Sequence, residues 1–510
     1  MTRINTVLMA AVLTLIFAPS IVAATSCEDL ASIKLPDTTI TLAQTVAAGE
    51  FAPPAAPGGR GGFPGQADLF KSLPAFCRVA ATLKPSSDSD IKVEVWLPAS
   101  GWNGKFEAEG NGGWAGVVSI PQMAAALRRG YATASTDTGH VGGTGSFALG
   151  HPEKLADFGY RAVHEMTVKA KAIVNAYYGN APKLSYWNGC SSGGREGLKE
   201  AQKFPADFDG IIAGAPANYW THLVTQSIWI GQAVHQEEAS FIPQTKYKLI
   251  HDAALEACDA RDAVKDGVIE NPAQCKFDPA VLQCKAGDAV ACLTSAQVEA
   301  ARKIYAPATN PRTREVIFPG LMPGSEMGWT GLAGPQPLSI ATDHFKYVVF
   351  NDPNWDFKKL NFDSDVALAD KVDNGLINAT DTNLKAFFGH GGKIIQYHGW
   401  NDQLISPLNS INYYQSVEKA MGGAGKVKQS YRLFMAPGMN HCAGGDGPSS
   451  FDAVKALEEW VEKGQAPERI IASHMTNGKA DRTRPLCAYP QVAVYKGSGS
   501  TDDAANFVCK

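Results

Sequence analysis

Residues 184–194 read Leu184-Ser185-Tyr186-Trp187-Asn188-Gly189-Cys190-Ser191-Ser192-Gly193-Gly194. Leu184–Asn188 has the apolar and aromatic content of a short strand, and a helix is expected over Glu196–Phe204. Between them lies Gly-x-Ser-x-Gly, centred on Ser191. A serine on such a strand-to-helix turn is presented at the top of a sheet, and the turn is so tight that only small neighbours fit, which Gly189 and Gly193 supply. The helix that follows would aim its N-terminal amides at the site and favour a developing oxyanion. Ser192 is the rival serine, but it falls outside the motif register.

The same alternation continues on both sides. Strands are expected at Lys92–Leu97, Lys105–Glu109 and Ala132–Thr136, followed by a helix over Tyr160–Tyr178 with Ala162, Met166, Ala170 and Ile173 at helical spacing. Gly210–Ala213 is a further strand, ending at Gly214-Ala215-Pro216. Alternating strands and helices predict a mostly parallel sheet covered on both faces, an α/β-hydrolase core. The pattern stops near residue 218. It resumes with strands at Lys393–Tyr397 and Tyr431–Met435 and an amphipathic helix over Phe451–Lys463, N-capped by Ser449 or Ser450. The expected organisation is core at 25–218, a lid domain inserted at 219–385, and the rest of the core at 386–510. A lid over the carboxyl ends of the strands is a common way to form a substrate pocket.

A serine hydroxyl needs a base, and in this fold the chain order is serine, acid, histidine. His441 follows the strand at Tyr431–Met435, and Asp402 lies in the loop after Lys393–Tyr397. His140, His164 and His398 are the other candidate bases; the first two precede the serine, and His398 is too close to its own strand. The oxyanion would be held by the amide of Ser192 and by one from Gly110-Asn111-Gly112-Gly113, with Gly113 preferred over Gly112.

The bulk properties agree. The chain has 510 residues, 45% hydrophobic and 19% charged, with a net charge of −4. That suits a globular protein with a real core and gives no reason to expect nucleic acid or an anionic membrane as partner. Residues 1–24 read as a secretory signal peptide: Arg3, an apolar run over Val7–Phe17, then Val22-Ala23-Ala24 at the cleavage position. The run is too short to span a bilayer. The expected destination is the periplasm or the medium, where the ten cysteines suit five disulfides. Residues 50–67, rich in Gly, Pro and Ala, read as a loop.

Cys190-Ser191, Asp402 and His441-Cys442, together with Thr136-Asp137-Thr138-Gly139-His140, Phe158-Gly159-Tyr160-Arg161 and Gly214-Ala215-Pro216-Ala217, resemble the tannase/feruloyl esterase family over essentially the whole mature chain. That family includes mono(2-hydroxyethyl) terephthalate hydrolases. The resemblance implies disulfides Cys27–Cys77, Cys190–Cys442, Cys258–Cys275, Cys284–Cys292 and Cys487–Cys509. It also implies hydrolysis of aromatic acid esters, feruloyl or gallate. The terephthalate enzymes grip the distal carboxylate with a lid arginine, and this chain has no Arg between Arg314 and Arg432. A serine peptidase and an inactive binding protein on the same fold are the alternatives of other classes; no triad member is missing. Finally, Asp259, Asp262 and Asp266 fall within eight residues. Such a cluster needs solvent or a hard cation to relieve its repulsion. The resemblance implies a structural Ca²⁺ held by these three side chains and the carbonyls of Val264 and Val268.

Overall fold

The computed structural model describes residues 25–53 and 66–510. The signal expected at 1–24 and most of the Gly/Pro-rich loop at 50–67 lie outside the described residues. A nine-stranded sheet forms the centre: β1 (Thr38–Val46), β2 (Phe76–Leu83), β3 (Ile91–Pro98), β4 (Lys105–Glu109), β5 (Ala132–Thr136), β6 (Leu184–Cys190), β7 (Gly210–Gly214), β8 (Lys393–Gly399) and β9 (Tyr431–Ala436). Their spatial order is β1-β2-β3-β5-β4-β6-β7-β8-β9. From β5 to β9 every pairing is parallel. β1, β2 and β3 add an antiparallel edge, of which the sequence marks only β3, as the strand at Lys92–Leu97.

Helices α1 (Ile120–Arg128), α2 (Ala162–Tyr178), α3 (Ser192–Lys203), α4 (Leu408–Ala420) and α5 (Ala453–Lys463) cover the sheet. Side chains alternate across it. Trp187, Ile211, Ile394 and Leu433 share one core with α2, α3 and α4. Their chain neighbours Tyr186, Ile212, Ile395 and Phe434 share another with α5. Both faces are therefore dry, which is why the central strands read as continuous apolar runs. Full burial of each such side chain contributes about 1.5–3 kcal/mol.

Two helix starts differ from expectation. α3 begins at Ser192 because the glycines read as turn already belong to its first turn. α5 begins at Ala453 with Asp452, not Ser449 or Ser450, as N-cap; the Asp452 carboxylate accepts the Lys455 amide and also pairs with Arg129. The expected helix from Tyr160 starts with a π-turn over Asp157–Arg161 before α2 proper.

After β7 the chain leaves the sheet, and it returns in the adjacent strand β8. The intervening residues are mainly helical: Trp220–His235, Tyr247–Cys258, Ser295–Tyr305 and Ser364–Asp373, with one two-stranded ribbon. They have a core of their own around Ile230, Ile250, Val298 and Trp329. A second cluster joins Trp220 and Phe345 of this segment to Trp114 and Phe158 of the sheet side.

Candidate active site

Ser191 stands where β6 turns into α3, at φ 63° and ψ −122°. Such a backbone costs of order 1–3 kcal/mol in a non-glycine residue and persists only where its surroundings enforce it. Here they do. The Ser191 amide donates to the Gly214 carbonyl (2.9 Å), and its carbonyl accepts from the Arg195 (3.1 Å) and Ala217 (3.0 Å) amides. A Cβ on Gly189 would lie 2.5 Å from the Gly193 carbonyl, and one on Gly110 would lie 2.6 Å from Gly193 Cα. The elbow and the loop after β4 thus touch backbone to backbone.

That loop is fixed at several points. The Asn111 amide donates to Glu196 Oε2 (3.0 Å), and Asn111 Nδ2 donates to the Val117 and Thr136 carbonyls, both at 2.9 Å. Burial pushes the Glu196 carboxyl up to about 7. Gly113 has φ 57°, in the left-handed region that favours glycine. Its carbonyl accepts from Ser192 Oγ at 2.7 Å. The rival serine is thus engaged with the loop after β4. A Cβ on Gly113 would lie 3.2 Å from Ile340 Cδ1, so the segment between β7 and β8 lies directly on this loop.

His441 and Asp402 come together: His441 Nδ1 donates to Asp402 Oδ2 at 2.7 Å. Asp402 is fully buried. Its Oδ1 accepts the Leu404 (2.8 Å) and Ile405 (2.9 Å) amides. Burial pushes this carboxyl up, but the charge of His441 and the hydrogen bonds of His398 and His441 outweigh it and hold it well below the usual carboxylate range. Burial likewise pushes His441 down, and the Asp402 charge and hydrogen bond reverse this, leaving the imidazole above its ordinary value. The Cys190–Cys442 disulfide, with Cα atoms 5.9 Å apart, joins the residue before Ser191 to the residue after His441. The other four disulfides are Cys27–Cys77, Cys258–Cys275, Cys284–Cys292 and Cys487–Cys509, the pairs the resemblance implied.

Of the other candidate bases, only His398 bonds Asp402 or His441 among the described residues. His140 stacks on Phe147 at 3.7 Å, and burial pushes it down to about 4. His164 Nδ1 bonds Asp207 Oδ2 at 2.6 Å. His398 does reach the site, with Nε2 3.0 Å from Asp402 Oδ2. Sequence reasoning also missed Arg195 and Lys199, which are buried on α3. Arg195 donates to the Gly159, Phe158 and Ile377 carbonyls, and Lys199 to those of Gly375 and Asn378. Both tie α3 to the segment that precedes β8.

The acidic loop is less complete. The Asp259 oxygens accept the Asp266 and Gly267 amides, Asp262 Oδ1 accepts that of Val264, and Asp266 Oδ1 accepts that of Val268. Asp266 Oδ2 is paired with Arg484. Burial, and after it the charge of Asp266, pushes the Asp262 carboxyl up. The Val264 and Val268 carbonyls accept no hydrogen bond from the described residues. This donor set fits an oxygen-seeking cation in kind. As placed, however, the three carboxylates do not all approach within 4.8 Å; among the described residues only His164, Glu200 and Asp207 do, and there the 2.6 Å contact is a direct hydrogen bond.

Comparison with known proteins places the chain in a family. A family model described as tannase and feruloyl esterase matches residues 77–510. Relatives include an uncharacterised esterase of Xanthomonas campestris pv. campestris, 40% identical over 96% of this chain and 91% of the relative. A probable feruloyl esterase B-2 of Neosartorya fischeri is 36% identical over 85% of this chain and 86% of its own. Feruloyl esterase B from Aspergillus oryzae superposes with a TM-score of 0.89 at 32% identity, covering 95% of this chain and 99% of that one. Tannin acyl hydrolase from Aspergillus niger shares the fold, with a TM-score of 0.77 at 22% identity over 94% and 92% of the two chains. The chain belongs to the tannase and feruloyl esterase family and is a carboxylic ester hydrolase built on the α/β-hydrolase fold.

Proposed function

We propose that the protein is a secreted serine esterase of aromatic acid esters, with Ser191 as nucleophile, His441 as base and Asp402 as the acid that orients it. One observation carries the reading: a strained serine elbow is bridged by Cys190–Cys442 to a histidine whose far nitrogen is held by a buried aspartate. His441 would take the Ser191 proton as Oγ attacks the ester carbonyl, and the Ser192 and Gly113 amides would hold the oxyanion. The alcohol leaves with the proton from His441, and water activated by the same imidazole cleaves the acyl-enzyme. The segment at 219–385 acts as a lid. The buried aromatic cluster of Trp114, Phe158, Trp220 and Phe345 underlies its contact with the loop that carries Gly113. Five disulfides suit an oxidising compartment. Among the described residues no helix is long and apolar enough to cross a membrane. Ca²⁺ on Asp259, Asp262, Asp266 and the carbonyls of Val264 and Val268 would brace the loop, with no part in the chemistry.

The test is hydrolysis of methyl ferulate, methyl gallate and mono(2-hydroxyethyl) terephthalate by the mature protein, with Ser191→Ala in parallel. Hydrolysis of the ferulate or gallate ester, lost in the variant, is expected. Preference for the terephthalate ester would overturn the feruloyl or gallate reading within the aromatic acid esters, and activity surviving in Ser191→Ala would overturn the triad.

A further inference from the structure

We infer that His398 is a positioning residue for the reaction: it locks the Asp402 carboxylate and moderates its pull on His441. The inference rests on the triad reading above.

His398 is fully buried in β8. Its Nε2 lies 3.0 Å from Asp402 Oδ2 and 3.1 Å from the Ile405 carbonyl oxygen. Both neighbours accept, so Nε2 carries a proton. Its Nδ1 lies 2.7 Å from Ser410 Oγ, whose hydroxyl donates to it when the ring is neutral. Three fixed partners therefore choose the tautomer.

The consequence falls on one oxygen. Asp402 Oδ1 is occupied by two backbone amides, and Oδ2 receives both imidazoles, His398 at 3.0 Å and His441 at 2.7 Å. With every donor in place the carboxylate cannot rotate away from His441. The His398 N–H also shares the negative charge of the very oxygen that faces the base. Without it, Oδ2 would answer His441 alone and stabilise the imidazolium more strongly, so His441 would hold its proton to higher pH. No other titratable group opposes this. Within salt-bridge range Asp402 meets only these two histidines among the described residues, and His441 meets only Asp402. Ser410 from α4, the Leu404–Ile405 loop and Gln403, whose Oε1 accepts the His441 amide, are uncharged.

The experiment measures kcat, KM and the pH profile of kcat/KM for the mature protein, His398→Leu, His398→Gln and Ser410→Ala, with Ser191→Ala as control and a thermal melt of each. Leucine keeps bulk and removes the donor, whereas glutamine returns an N–H near the Nε2 position. For His398→Leu, kcat is expected to fall about tenfold to a hundredfold, the range for a hydrogen bond to a charged group. KM should stay within about twofold, and the acid limb should move about 0.5 pH or more upward. His398→Gln should recover most of both, and Ser410→Ala should shift both part of the way. If His398→Leu does not fold, the glutamine and alanine variants decide by the same limb. An acid limb that stays at the wild-type pH in every folded variant, or a kcat loss that glutamine does not recover, would overturn the inference. Activity that survives in Ser191→Ala would instead overturn the triad itself.

Discussion

Asp402 and Asp262 are both aspartates in loops, and each is expected from the sequence to act through its charge. Asp402 is fully buried yet held well below the usual carboxylate range, because two amides and two imidazoles answer its oxygens. Asp262 is less buried, but burial pushes its carboxyl up, because only one amide answers it and Asp266 adds repulsion. A buried charge is tolerated in proportion to the partners brought to it. The chain supplies its own partners at the first site. At the second it supplies Arg484, which engages Asp266 and leaves Asp262 short of a partner.

The largest effect should follow from emptying the first site. His441→Ala, or Asp402→Asn with the tautomer spoiled, should cost about 10⁴-fold in kcat while far-ultraviolet dichroism stays native. A loss under tenfold would mean that Asp402 answers a structural need only. Next is the bridge that holds serine and base together. The two residues of Cys190–Cys442 are 252 apart in sequence, against 8 for Cys284–Cys292. Chain entropy ranks their removal at about 5 and 2.5 kcal/mol. Replacing the first pair by alanine should also lower kcat about 100-fold, the usual effect of a misplaced base, whereas removing the second should leave kcat alone. Equal kcat in the two variants would break the distinction. The third effect is one of pH. On the proposed triad His441 must be neutral to accept the serine proton, and Asp402 raises its pKa against the opposing effect of burial. Activity is therefore present above that raised value and lost as pH falls through it. The acid limb of kcat/KM should lie above about 6.5, the ordinary histidine value, and a limb below 6 would contradict the pairing.

Much of the first site was legible because its signal is local. Gly189 and Gly193 flank Ser191 within one turn, and an apolar strand precedes it. His441 and Asp402 could be placed from chain order. His398 was set aside as belonging to its own strand, and it does sit in β8. It meets Asp402 because the loop folds back on the strand, which no spacing reveals. Arg195 and Lys199 look like surface charges on a helix; their carbonyl partners lie in other parts of the chain. β1 and β2 precede the strand–helix alternation and pair antiparallel, so that alternation does not mark them. The disulfide pairing was legible only through resemblance, since ten cysteines carry no connectivity of their own.

The smallest effect expected is at the acidic loop, and its sign is informative. A carboxyl whose pKa is raised on folding binds its proton more tightly in the native state. Its contribution to stability is therefore present at low pH and declines as pH rises through the carboxylate range towards neutrality. Without a cation, Asp262 is a liability at pH 7, and Asp262→Asn should melt at the same temperature as the wild type or slightly higher. With Ca²⁺ the order should reverse: the ion stabilises the wild-type fold by mass action, raising its melting temperature by about 2–4 °C over the chelated protein, and does nothing for the variant. Activity at 25 °C should change little with the ion: Val268 lies against Gly438 in the histidine loop, but among the described residues none of the three aspartates bonds Ser191, Asp402 or His441. Wild-type melts that superimpose in Ca²⁺ and in chelator would mean that backbone amides and the arginines at Asp266 are the relief the loop uses, and that the two aspartates differ in how well the protein serves them and in nothing else.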